Sequence, residues 1–368
     1  MTAKAAIRAE AARLQALIGG AEAQAVETDI LQPADTLLDL YGEDIRARAY
    51  VTADPVRGER MLRPDFTVPV VQMHMAHGAA PARYTYSGEV FRRQEQPGDM
   101  RPAEFIQVGL ELFDGRDPAA HDADVFATFA TPLRPLGLST AMGDIGLLTA
   151  AVSGLTLSAP RRAALLRHIW RPHRFRALLD RFCGNTAPSR ARRDLLHKLA
   201  VTEAETLVGA AGPIVGQRSA GEIAARLRAL AEDAVEPPLP ARERALIDDL
   251  LAIRAAPRDA EARLYDIAVD LPALVPAVDR LAARLDAMET QGIVLDDIAF
   301  ETTYGRTTLE YYDGFVFGLS VPDRASLPPV ASGGRYDALT AKLGGGRAIP
   351  AVGGVIRPAL VLELGGLP

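Results

Sequence analysis

Three polar clusters hold the residue types that could do chemistry in this chain of 368 residues. The first is Leu62-Arg63-Pro64-Asp65-Phe66-Thr67. The second joins Arg92, at the end of one strand-like run, to Gln107 and Glu111 in the next. The third contains Arg306, Tyr311 and Tyr312, followed by Ser332-Gly333-Gly334-Arg335-Tyr336-Asp337. Taken singly, each has an ordinary explanation. Arg63-Pro64-Asp65 reads as a turn closed by an internal ion pair. Glu111 reads as a solvated carboxylate on the polar face of a strand. Tyr311 and Tyr312 straddle a strand and send one ring into the core. The SGGRYD run is a turn unless it opens a helix after a strand.

Taken together, the clusters describe a ligand. Asp65, Gln107 and Glu111 offer acceptors for an ammonium or an imidazole N–H, and Arg92 and Arg306 offer donors for a carboxylate. That inventory is the complement of a zwitterionic amino acid with a polar side chain. It does not suit hydrolysis, because no Ser–His pair sits in a motif-like setting. The six histidines lack metal-ligand spacing. His74 and His77 come nearest, at i, i+3, and a helix at the core edge accounts for them without a metal. The single Cys183 excludes an intramolecular disulfide and a cysteine-based zinc cluster. Neither a metal nor a cofactor is expected.

The elements that position these residues can be read from periodicity. Residues 3 to 18 form a helix with Ile7, Leu14, Leu17 and Ile18 on one face, stopped by Gly19-Gly20. From Val26 to Gly146 short strands are broken by Gly and Pro. In Phe105 to Phe113, Ile106, Val108, Leu110 and Leu112 point one way and Gln107, Gly109 and Glu111 the other. Tyr84 to Arg92 is its partner strand, and QEQPGDMRPAE is a polar loop between them. From Ala159 to Met288 the pattern is helical, with Leu274, Val278, Leu281, Leu285 and Met288 as the clearest stripe. Strands return after Gly292. Strands neighbouring strands, with one helical interruption, make the fold class α+β.

Composition narrows the partners. The formal charge of −6 reads as spread along the chain without an acidic tail or a basic block. Phosphate contacts dominate nucleic-acid affinity, so small molecules and proteins are favoured over nucleic acid. There is no signal-peptide core, and no stretch approaches the roughly 20 apolar residues of a membrane span. The cytoplasm is the default compartment.

These motifs together resemble the histidyl-tRNA synthetase family. YSGEVFRRQEQ and EFIQVGLELF resemble the class II motif 2 hairpin, and LRPDFT its short amino-acid-contacting segment. LEYYDGFVF resembles the histidine-specific tyrosine motif, and ASGGRYDALTAKLGGGRAIPAVGG the approach to motif 3. The resemblance covers residues 26 to 146 and 293 to 357. It implies a class II aminoacyl-tRNA synthetase-like antiparallel sheet flanked by helices, in a single core with a helical insertion at about 150–290. It also implies that Asp65, Thr67 and Gln107 hold the amino and carboxylate region of histidine. Glu111 and Tyr312 would read the imidazole with Tyr311 and Tyr336 nearby, and Arg92 would stand where the synthetase arginine meets the ATP α-phosphate.

The departures point away from aminoacylation. Where the synthetase motif 3 ends Gly-x-Glu-Arg, this chain reads GGVIRPALVLE, with Ala359-Leu360 at the Glu-Arg position and Arg357 out of register. Losing that triphosphate clamp removes transition-state charge stabilisation. The motif 2 loop carries Gly98-Asp99 and Pro102 in place of basic residues, and Arg306 lies three rather than two residues before Leu309. The chain reads as having no C-terminal anticodon-binding domain, which takes roughly 100 residues in the family. This combination resembles the regulatory subunits of ATP phosphoribosyltransferase. The resemblance implies a non-catalytic homodimer that joins a short-form catalytic subunit in the first step of histidine biosynthesis, with histidine as inhibitory effector. Two other readings share the motifs: a truncated enzyme that activates histidine with ATP, and a dimeric scaffold that binds no amino acid.

Overall fold

The computed structural model describes residues 4–41, 48–93, 102–306 and 311–367. They divide into two compact units: residues 1–151 with 249–368, and residues 152–248. The helical stretch expected at about 150–290 is shared between them. Helices Pro257–Asp270 and Val275–Thr290 belong to the first unit.

The first unit is built on a nine-stranded sheet among the described residues. Its middle runs antiparallel through Ala82–Phe91, Glu104–Phe113, Ala351–Ile356, Ala331–Arg335, Phe315–Ser320 and Ser139–Asp144. Parallel pairs appear only toward the margins, where Gln24–Ala25 meets Ala82–Phe91 and Ser139–Asp144 meets Ile298–Glu301. This is the α+β architecture, an antiparallel sheet with helices, that the sequence implied. A smaller sheet of three strands, Leu31–Pro33, Gly58–Leu62 and Val51–Asp54, stands beside helix Ala34–Tyr41.

The strand periodicity held, but its polar face does not meet water. Gln107 and Glu111 are fully buried, as are Val108 and Leu110 on the other side. Both faces of the central sheet are therefore covered. Tyr311 and Tyr312 precede strand Phe315–Ser320 instead of lying in it, and both are buried. SGGRYD is no turn: Ala331–Arg335 is a central strand, and helix Asp337–Leu343 follows. Leu17, expected in the core, is exposed, while Leu14 and Ile18 are buried. Leu309 and the Gly98-Asp99 pair lie outside the described residues.

The face away from Glu111 is closed by helices Pro118–Leu133 and Val275–Thr290. Phe126 packs edge-on to Phe317 at 5.4 Å, and the stripe Leu274, Val278, Leu281, Leu285 and Met288 is buried throughout. A charged joint crosses this layer. Asp122 of the first helix accepts from Arg284 of the second at 2.8 Å and from Arg335 of the sheet at 2.9 Å. Arg284 also reaches Asp144 at 2.9 Å. All four side chains are buried, so each charge depends on its neighbours for the solvation it has lost.

The second unit is helical. Phe175, Leu179 and Phe182 line the inner side of helix Pro172–Phe182, and Ala204, Val208 and Ala224 form a small separate core. Ser158, Ser189 and Ser219 cap three of its helices, the last through a reciprocal box with Glu222. The expectation of evenly spread charge fails here. Residues 161–198 hold eleven Lys and Arg against two Asp, in a chain that is acidic overall.

Asp122 gives the sharpest test of the charged joint. Asp122→Ala leaves two buried arginines short of a counterion and should cost about 3–5 kcal/mol. Urea denaturation of the two chains measures it. A loss below about 1 kcal/mol would mean the joint is not holding the layer together.

Candidate functional site

Strand pairing sets the site. Glu111 stands opposite Tyr84 on one side and Gly353 on the other, and Gly109 stands opposite Tyr86. Paired residues share a face, so the Glu111 carboxylate and the Tyr86 ring lie on the same side of the sheet. Two glycines make room for them. A Cβ at Gly353 would sit 1.6 Å from Glu111 Oε2, and one at Gly109 would sit 2.3 Å from the Tyr86 hydroxyl. Helix Thr67–His77 and the segment before it cover this face, with Phe66 stacked on Tyr86 at 4.4 Å.

Glu111 is held by hydroxyls. Thr67 Oγ1 donates to Oε1 at 2.8 Å, Tyr86 Oη donates to Oε1 at 2.9 Å, and the Tyr336 hydroxyl donates to Oε2. Burial raises the Glu111 carboxyl to about 7; the three hydrogen bonds oppose that rise without cancelling it, and Asp65 adds to it. Burial, and then the Glu111 charge, push the hydroxyls of Tyr86, Tyr312 and Tyr336 upward, so they remain neutral donors. The centre is thus acidic, and none of the groups bonded to Glu111 is a cation. It suits a ligand that brings N–H donors.

The other expected residues fall into place unevenly. Asp65 is buried and accepts from Val68 N at 3.3 Å, and its charge is felt by Glu111, Tyr86 and Tyr312. Arg63 does not close the turn as an ion pair. It donates to the carbonyls of Glu89 and Thr28 and stacks 3.9 Å over Phe66. Tyr311 Oη donates to Thr67 Oγ1 at 3.4 Å, and its ring stands 4.7 Å from Tyr312 and 6.1 Å from Tyr336. Gln107 is buried on the Glu111 face, and neither atom of its amide has a partner among the described residues. Arg92 donates to the Pro64 carbonyl at 2.8 Å, beside the covering segment, and its charge is felt by Tyr312. Arg306 is buried in the turn after Ile298–Glu301 and is not among the groups bonded to Glu111.

Sequence reasoning missed Tyr86. Its signal was the alternation Tyr84, Tyr86, Gly88 along the partner strand, legible only once the register sets Tyr86 against Gly109. His74 also proves structural: it is buried, lies 3.1 Å from the Tyr84 hydroxyl and stacks on Phe113 at 4.0 Å. No group of three or more His, Cys, Asp or Glu among the described residues could hold a metal ion. No helix among them is long and apolar enough to cross a membrane. Arg357, at the start of helix Pro358–Glu363, donates to the Pro329 carbonyl.

Residues 5–237 and 225–359 match the family described as histidyl-tRNA synthetase, the class that fold and site define. Proteins named ATP phosphoribosyltransferase regulatory subunit from Brucella canis and Brucella melitensis biotype 1 are each 34% identical over 355 residues. They cover 92% of this chain and 93% and 92% of their own lengths. A solved structure described as an ATP phosphoribosyltransferase regulatory subunit/histidyl-tRNA synthetase from Bacillus halodurans has a TM-score of 0.65 at 20% identity, covering 98% of this chain and 79% of that one. Histidyl-tRNA synthetase from Nostoc sp. PCC 7120 has a TM-score of 0.60 at 16% identity, covering 98% and 72%. These two likenesses establish the fold. The chain belongs to the ATP phosphoribosyltransferase regulatory subunit family, within the histidyl-tRNA synthetase fold.

The raised Glu111 carboxyl makes a signed prediction. Between pH 4.5 and 7 the folded chain binds a proton that the unfolded chain has released, so rising pH removes stability across that window. Glu111→Gln has no such proton to lose. Its stability relative to the parent should improve by about 3 kcal/mol from pH 4.5 to pH 8. Denaturant titrations of both chains at the two pH values read the difference, and a pH-independent gap would refute the assignment.

Proposed function

We propose that this chain is a non-catalytic regulatory subunit of ATP phosphoribosyltransferase. It binds histidine on the Glu111 face and, in a hetero-oligomer, supports and restrains a short-form catalytic subunit. The supporting observation is the pairing of a hydroxyl-held carboxylate, Glu111, with a buried amide, Gln107, that lacks partners among the described residues. A buried amide with both atoms unmet is costly, and a ligand offering both a donor and an acceptor relieves it. Histidine carries an imidazole N–H for Glu111 and an α-ammonium and carboxylate for Gln107, Asp65 and Thr67. Tyr311, Tyr312 and Tyr336 wall the imidazole end, while Arg92 and Arg306 supply positive charge for the carboxylate end.

The regulatory role is thermodynamic linkage. Histidine favours the assembly state it binds more tightly, and a difference of about 1–3 kcal/mol is enough for substantial inhibition. The family names support a regulatory rather than a catalytic role. Arg357 engaged with a backbone carbonyl, and Ala359-Leu360 at the clamp position, support the loss of adenylate chemistry. The reading includes a homodimer of this chain working in the cytoplasm, with histidine as its small-molecule ligand and without nucleic acid.

Calorimetric titration with histidine tests the site. The parent chain should bind, and Gln107→Ala should weaken binding about tenfold or more. Adding the parent chain to a short-form catalytic subunit should raise phosphoribosyl transfer, and histidine should then lower it. Histidine-dependent ATP–pyrophosphate exchange by this chain alone would overturn the non-catalytic reading in favour of a truncated activating enzyme.

A further inference from the structure

Arg63 is buried in the segment that covers the Glu111 face, and it bonds neither Glu111 nor Gln107. Its backbone joins the two sheets. The Arg63 N–H donates to the Ile30 carbonyl at 2.8 Å, beside the three-stranded sheet, and its carbonyl accepts from Phe91 N of the nine-stranded one at 3.1 Å. The guanidinium uses its edge and its face at once. Nε donates to the Glu89 carbonyl at 2.8 Å, and Nη1 donates to the Thr28 carbonyl at 2.5 Å and to Thr28 Oγ1 at 3.2 Å. The flat face lies 3.9 Å over Phe66. Phe66 lies in turn on Tyr86, 4.4 Å away and within 12° of parallel, and Tyr86 donates to Glu111. Gly88 leaves room for this stack, because a Cβ there would sit 2.8 Å from Arg63 Nη2 and 2.9 Å from Phe66 Cζ. Gly88 stands opposite Gln107 in the strand register.

We infer that Arg63 is a positioning residue for the ligand-binding carboxylate. Through Phe66 it fixes two of the three hydroxyls that hold Glu111: Tyr86 against the Phe66 ring, and Thr67 next to Phe66 in the chain. The inference deepens the histidine-site reading and rests on it. Stacked rings restrain tilt and leave sliding free, whereas a cation bonded to carbonyls on two sides pins the ring it covers. A lysine would supply the charge, but it has no flat face to lay on Phe66 while its donors meet those carbonyls. The groups facing Glu111 are Asp65 and Thr67 from the cover, Tyr86 from the neighbouring strand, and Tyr312 and Tyr336. The bonds from Thr67 and Tyr86 hold the Glu111 carboxyl down against burial, so loosening them raises it above about 7.

Arg63→Lys keeps the charge and loses the fork, while Tyr86→Phe keeps the ring and loses only the donor. Carbon-13 NMR of the glutamate carboxyls, with Glu111→Gln to assign the signal, reads the Glu111 titration without ligand. Each substitution should move the midpoint upward, and the double variant should move it by less than the sum of the two. Arg63→Lys with Tyr336→Phe should add, because Tyr336 reaches Glu111 from another segment. Calorimetry at pH 7 should show histidine affinity about three- to tenfold weaker in each single variant. Phe66→Leu repeats the test with Arg63 untouched, since it keeps an apolar cover and removes the ring between Arg63 and Tyr86. A less stable Arg63→Lys chain that titrates and binds histidine like the parent would overturn the positioning role. So would full additivity with Tyr86→Phe, or an unmoved midpoint in Phe66→Leu. In those cases the parent still binds histidine and the site reading stands. A parent that binds no histidine overturns that reading, and the role of Arg63 at a ligand site falls with it.

Discussion

The structure depends on one buried carboxylate and how it is solvated. Glu111 has left water completely, and three hydroxyls from distant parts of the chain stand in for it. Thr67 begins a covering helix, Tyr86 sits on the neighbouring strand, and Tyr336 follows a strand from the far end of the sequence. Closing those three bonds therefore folds the chain around a point. Neutral donors cannot fully compensate a buried charge, and the carboxyl rises to about 7 as a result. Had an arginine been placed there, the charge would be satisfied and the site would have no remaining demand for a ligand.

The opposite face shows what such satisfaction looks like. Asp122, Asp144, Arg284 and Arg335 neutralise one another within the helical layer. Arg335 and Tyr336 are consecutive, yet one is fixed to Asp122 behind the sheet and the other bonds Glu111 in front. The saturated network anchors the strand whose next residue serves the unsaturated one. Rigid support behind a site with unmet hydrogen bonds in front is how a fold holds a binding group in place without filling it.

Much of this could be read from the residues, for identifiable reasons. The sheet-forming hairpin follows from two-residue alternation, and the stripe from Leu274 to Met288 follows from helical spacing. Both periodicities are local. Glu111 read as solvated because alternation shows which residues share a face but not whether another layer covers it; helix Thr67–His77 is that layer. Tyr86 was invisible for a related reason, because only the strand register sets it across Gly109. The tyrosine pair was read as strand because its aromatic run fits a pleated surface, whereas the chain turns before Phe315 and buries both rings. The basic run from Arg161 to Lys198 needed no structure at all. A whole-chain charge of −6 concealed it, since acids elsewhere outweigh it.

The two sides of synthetase chemistry make different physical demands. Recognising histidine requires short-range groups held at fixed positions, and buried hydroxyls and an amide hold theirs through the sheet. Orienting a triphosphate requires cations free to meet it, and Arg357 is committed to the Pro329 carbonyl. On the proposed reading the chain keeps the first and lacks the second, and so does not turn binding energy into bond making. Under the proposed reading, that energy can only change which state of a larger assembly is populated. A sensor of this kind needs a means of passing its state to a partner.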